Sequence, residues 1–121
     1  MSRTRKAERI SAEGAAALVR SGSWVDHRFG PGQPHPFDRA LAARKNELRE
    51  VGIRSAFSLR PRATLEADPT GESFRMSSWL FSGYDRPRHD PGLVDYTPMN
   101  FGEARDDYRR FIDPVDVVCI K

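Results

Sequence analysis

The chain has a single cysteine, Cys119. That excludes a disulfide framework and a cysteine-built metal cluster, and it points to a reducing, cytoplasmic setting. Histidine is also scarce: His27, His35 and His89 stand at no metal-ligand spacing, so no metal site is expected. No apolar run approaches the roughly 18 residues of a membrane span, and the basic opening at 1–10 lacks the apolar centre of a secretory signal. Lysine occurs only at Lys6, Lys45 and Lys121, so arginine carries most of the positive charge. Its planar fork suits carboxylates and phosphates. Acids such as Glu47, Glu50, Glu66, Asp68, Asp85 and Asp106 interrupt the arginines throughout, so there is no basic stripe of the kind duplex binding needs. Nucleic acid and membrane are therefore not expected as partners.

What remains is a chain of 121 residues, 38% hydrophobic and 31% charged, with a net charge of +3. That is enough for one soluble domain, expected over 10–121 behind a basic tail at 1–9. Ser11 can cap a helix over 11–20, with Glu13 in its first turn and Gly22 where it stops. Residues 23–29 read as a strand. A second helix is expected over 36–51, opened by Pro36 and closed by Gly52, with Phe37, Ala40, Leu41, Leu48 and Val51 on its apolar stripe. Arg44 falls inside that stripe and must snorkel or find a partner.

Residues 53–59 alternate as a strand with Ile53, Phe57 and Leu59 on one face. A connection with one helical turn follows, then a strand over 73–82, a turn-rich stretch and a short apolar piece over 93–99. A helix is expected over 103–112, its acids first and its arginines last, with Ala104, Tyr108 and Phe111 on the buried face. Residues 115–120 are almost continuously apolar and β-branched, which predicts a strand buried on both faces of a parallel sheet. The alternation of strands and helices gives an α/β class with an open, mainly parallel sheet and flanking helices. Because a strand of that kind needs a following helix, the sequence reads as the truncated front half of a longer enzyme.

Chemistry concentrates in one stretch, "RFGPGQPHPF", at 28–37. It joins a strand end to a helix start. There, glycines let backbone approach a ligand, prolines fix the loop, and the helix N-terminus favours an anion. It is neither a dinucleotide fingerprint nor a P-loop, and on spacing alone a plain turn fits as well. Cys119 reads as a small buried hydrophobe, and Tyr84, Asp85, Arg86, Arg88 and His89 as a surface ion-pair cluster or an anion site. No nucleophile-base set can be assembled, so no catalytic residue is assigned.

The blocks "WVDHRFGPGQPHPFDRALAARKNELREVGIRSAFSLRPRA", "FSGYDR", "HDPGLVDYTPMNFGEARDDYRRFI" and "DPVDVVCIK" stand in the order of a known family. From about residue 10 to 121 the chain resembles the acetyl-CoA hydrolase/transferase family, the family I coenzyme A transferases that include enzymes acting on butyrate and 4-hydroxybutyrate. The resemblance implies a longer protein of two similar open α/β halves, of which this chain is part of the N-terminal one. It implies covalent chemistry: a glutamate in the second half attacks an acyl-CoA thioester, a glutamyl-CoA thioester forms, and CoA passes to a small carboxylate or the acyl group to water. CoA is then a substrate and no cofactor is needed. The glutamate lies outside this chain, which is expected to be inactive alone, as a homo-oligomer or awaiting its C-terminal half. The family's front loop maps to Gly30, Gly32, Gln33 and Pro34, with backbone N–H groups as oxyanion donors and Gln33 as a side-chain contact. His27 and Arg28 stand where the family has aromatic and glycine residues, and Pro31 separates the glycines. The alternative is a non-catalytic module that binds CoA or an acyl anion.

Overall fold

In a computed structural model of the chain, residues 6–121 are described; residues 1–5 of the expected basic tail lie outside them. The described residues form five strands, β1 Trp24–His27, β2 Val51–Ser55, β3 Phe74–Ser78, β4 Val94–Tyr96 and β5 Val117–Cys119. Four α-helices accompany them: α1 Ala12–Ala16, α2 His35–Ala42, α3 Ala63–Ala67 and α4 Phe101–Arg110. The strands make one sheet in the order β4-β3-β2-β1-β5, parallel at every pairing. The α/β class and the parallel open sheet are as the sequence indicates.

Strand alternation divides the side chains between two faces. Val25, Val51, Ile53, Phe74, Met76 and Val94 point to one face and are fully buried there with Ala16, Val19, Leu41 and Leu65. On this side α1 packs on α2 and α2 on α3. Each such side chain contributes about 1.5–3 kcal/mol through burial. The opposite face carries Trp24, Asp26 and Arg54, and α4 meets it through Tyr108, whose hydroxyl donates to Asp26 Oδ2. Arg75, Asp95 and Val118 on that face are exposed.

Local signals place the starts of elements well. Ser11 caps α1, its Oγ accepting from Gly14 N at 3.0 Å. The expected single turn after β2 is α3. The second helix is much shorter than expected: α2 ends at Ala42, and Gly52 lies inside β2 rather than beyond a helix. An eight-residue helix spans about 12 Å and a four-residue strand about 13 Å, so α2 has already run the height of the sheet. The following turns carry the chain back to β2. Arg44 finds its partners there, donating from Nη1 to the carbonyls of Ala16 at 2.6 Å and Val19 at 2.8 Å, which closes the C-terminal end of α1.

Three further expectations are corrected. β2 stops at Ser55 because Phe57 takes a left-handed φ of 42°, so Phe57 and Leu59 leave the core face and are exposed. Phe111 lies just past α4 and is 74% exposed, while Ala104 and Tyr108 are half-buried. β5 is an edge strand, not one buried on both faces: Val117 and Cys119 are half-buried on the core side, but Val118 is 61% exposed.

Candidate functional site

In the order β4-β3-β2-β1-β5 the chain leaves β1 toward β2 and returns on the other side of β1 at β5. A ligand crevice is expected beyond the carboxyl ends of the strands at such a reversal. A cleft of about 1050 Å³ opens there, between the Gly30–Gly32 turn and the segment leading into α4. Arg28, Phe29, Trp79, Phe101 and Lys121 line it. The three rings contact one another: Phe29 and Trp79 have centroids 6.3 Å apart, Phe29 and Phe101 5.7 Å, and Trp79 and Phe101 6.2 Å.

The loop singled out in the sequence forms one wall. Gly30 to Gly32 make a 3-10 turn, with Gly30 at φ 58°. The loop amides, expected as oxyanion donors, have partners within the protein. Gly30 N donates to Phe57 O at 3.1 Å, Gly32 N to Phe29 O at 3.2 Å and Gln33 N to Gly30 O at 3.3 Å. Pro31 and Pro34 have no N–H to give. Gln33 is also turned away from the cleft. It is 2% exposed; its Oε1 accepts from Leu59 N at 2.8 Å and Arg60 N at 3.2 Å, and its Nε2 donates to Arg60 O at 3.2 Å. Pro34 is the N-cap of α2. Gly32 is needed for space: a Cβ there would stand 2.7 Å from Arg28 Cγ and 2.8 Å from Cδ.

Beneath the loop lies a buried polar layer. Arg62, 1% exposed, donates from Nε to Ser58 Oγ and from Nη2 to Ser55 Oγ, each at 2.7 Å. Its Nη1 faces His27 Nδ1 at 3.4 Å. Arginine can only donate, so Nδ1 accepts and the neutral His27 ring carries its proton on Nε2. Burial, with the nearby Arg62 charge, pushes the His27 pKa down to about 3. His27 is a core residue at the end of β1, edge-on to Phe37 at 5.6 Å between centroids. Asp38 of α2 accepts from Ala63 N at 2.6 Å and Thr64 Oγ1 at 2.8 Å, and so caps α3.

On the other face, Arg54 lies over Trp24, its Cζ 4.6 Å from the ring centroid, with Nε 3.5 Å from Asp26 Oδ1. Burial raises the Asp26 pKa, against the Tyr108 hydrogen bond and the Arg54 charge, which lower it. The cluster at 84–89 is structural. Arg88 pairs with Glu66 at 2.7 Å and lies over the Tyr84 ring, and buried Asp85 accepts from Ser82 N at 2.9 Å. Cys119 is half-buried at the core edge, and burial pushes its thiol up to about 11. Among the described residues no helix is long and apolar enough to cross a membrane. Sequence reasoning did not find the aromatic wall, because its members follow three separate elements.

Fold and cleft together define an open parallel α/β layer with a ligand crevice at its point of reversal. The chain is 37% identical over 116 residues to a probable butyrate:acetyl-CoA coenzyme A-transferase of Syntrophomonas wolfei, covering 96% of this chain and 26% of that protein. It is 31% identical over 111 residues to a butyryl-CoA:acetate CoA-transferase of Anaerostipes caccae, covering 92% of this chain and 25% of that protein. In fold it is similar to RipA from Yersinia pestis, with a TM-score of 0.66 at 18% identity over 84% of this chain and 26% of that one. No protein-family model matches it. The chain is thus related to the CoA-transferases, and it spans about a quarter of the length of the curated relatives it matches.

Proposed function

We propose that residues 10–121 are part of the N-terminal α/β domain of an enzyme that moves CoA between an acyl-CoA and a small carboxylate through a glutamyl-CoA intermediate, the glutamate lying outside this chain. One observation carries the reading: the sheet reverses at β1, and a cleft large enough for an acyl group opens there. The acyl-CoA:carboxylate exchange in the names of its relatives supplies the reaction class. Gly30 and Gly32 then shape the wall of the acyl site, with Gln33 and Pro34 bracing the loop behind it, giving it form rather than donors. A carboxylate acceptor makes the enzyme a transferase, and water makes it a hydrolase.

A second reading has a specific observation in its favour. The loop amides are already bonded within the protein, which suits a non-catalytic module that holds CoA or an acyl anion. The two separate in one experiment. Butyryl-CoA is titrated into the 121-residue chain, and acetate-dependent CoA exchange is assayed on the chain and on a polypeptide of its relatives' length that contains it. The transferase reading expects saturable binding, no turnover by the chain and turnover by the longer polypeptide. Turnover by the chain alone overturns the external nucleophile. Binding with no turnover by either favours the module.

A further inference from the structure

Resting on that reading, we infer that the cleft takes a carboxylate with a bulky apolar tail, its charged end held by the side chains of Arg28 and Lys121 and its tail lying on Phe29, Trp79 and Phe101. The argument starts from what the loop cannot do: with the amides of Gly30, Gly32 and Gln33 bonded within the protein, charge recognition on this wall falls to side chains.

Two cations are placed for it. Arg28 lines the cleft and an adjoining cavity of about 290 Å³, with its Cγ and Cδ passing over Gly32 where any Cβ would collide with them. Gly32 therefore leaves the passage that the arginine stem occupies. Among the described residues no salt bridge takes up the Arg28 guanidinium. Lys121 lines the same cleft and is anchored to the same glycine, its N donating to Gly32 O at 3.4 Å. Among the described residues no aspartate or glutamate lines the cleft.

The rest of the lining sets the tail. Phe29, Trp79 and Phe101 form a continuous tilted and edge-on set, extended by Met99, Leu80 and Tyr96. Flat aromatic faces recover most from a ring or a branched chain, while a two-carbon acid reaches the cations and leaves the rings in water.

The test uses the 121-residue chain labelled with 5-fluorotryptophan. The Trp79 fluorine resonance reports the cleft, and that of Trp24, outside its lining, reports the fold. Benzoate, acetate and neutral benzyl alcohol are titrated separately. Benzoate is expected to shift Trp79 saturably, with acetate and benzyl alcohol each at least about tenfold weaker. Arg28→Gln is expected to weaken benzoate by about tenfold and Phe101→Ala by about threefold, with acetate unchanged by the latter. Both positions are exposed, so the fold is not at stake. Benzoate and acetate binding alike, no saturable benzoate shift, or an Arg28→Gln variant binding as the parent does would each overturn the inference. Butyryl-CoA is the control for the underlying reading: saturable butyryl-CoA binding without a benzoate preference overturns this inference alone, whereas loss of both overturns the CoA-transferase reading as well.

Discussion

The Trp24 indole occupies the space of a side chain at Gly52, its registered partner on β2: a Cβ at Gly52 would stand 2.5 Å from Trp24 Cε3 and Cζ3. Arg54 closes the other side of the ring. Gly52→Ala is therefore expected to destabilise the chain by about 1–3 kcal/mol through overpacking, read as a lower urea midpoint at unchanged slope. Trp24→Leu in the same chain should recover part of that loss. A Gly52→Ala variant as stable as the parent would show that Trp24 does not lie there.

Gln33 joins the loop to the segment after β2. Gln33→Leu removes the acceptor for the Leu59 and Arg60 amides and is expected to cost about 1–3 kcal/mol. Hydrogen exchange gives the sharper measurement. The amides of Leu59 and Arg60 should exchange faster relative to those of β3, and unchanged protection would show that Gln33 is not what holds them.

His27 makes stability depend on pH in a known direction. Its pKa is about 3 in the folded chain against an ordinary 6.5, so the folded state resists a proton that the unfolded state accepts. The stability of neutral His27 is whole above about pH 6.5 and falls as the pH drops toward 3, by up to about 1.4 kcal/mol per pH unit. Urea unfolding at pH 8, 6 and 5 should show the parent losing stability relative to His27→Gln. Parallel curves for the two proteins would count against a buried neutral imidazole.

Val118, Ile120 and Phe111 are more than half exposed, and all lie in the α4–β5 region. With Leu80, Tyr96 and Phe101 at the cleft they make an apolar surface of the kind that drives association. Static light scattering of the 121-residue chain is expected to give a mass above that of the monomer, rising with concentration. A stable monomer at high concentration would refute this.

What was legible in the sequence was local. Ser11 before its helix, proline opening α2 and glycines shaping the turn after β1 act through neighbours a few residues away. The end of α2 was not, because the height of the sheet ended it and nothing near Ala42 announces that. The role of Gln33 was hidden for the same reason: its partners Leu59 and Arg60 are 26 and 27 residues on. Arg28 is visible as a departure from the family's pattern, but its path over Gly32 is set by the fold of the turn. The cleft wall drew one ring from each of three segments, so no stretch of sequence carried its signature.

β1 is flanked by β2, which follows it closely, and by β5, whose approach is fixed where Trp24 N meets Asp116 Oδ2, 92 residues later. During synthesis one side of β1 therefore stays unpaired until almost the last of these residues has emerged. Over that interval the Arg28 amide lacks its acceptor, Cys119 O at 3.0 Å, and Lys121 is absent. Both cations at the cleft, Arg28 through its amide and Lys121 through its own, are therefore fixed only once β5 has paired with β1.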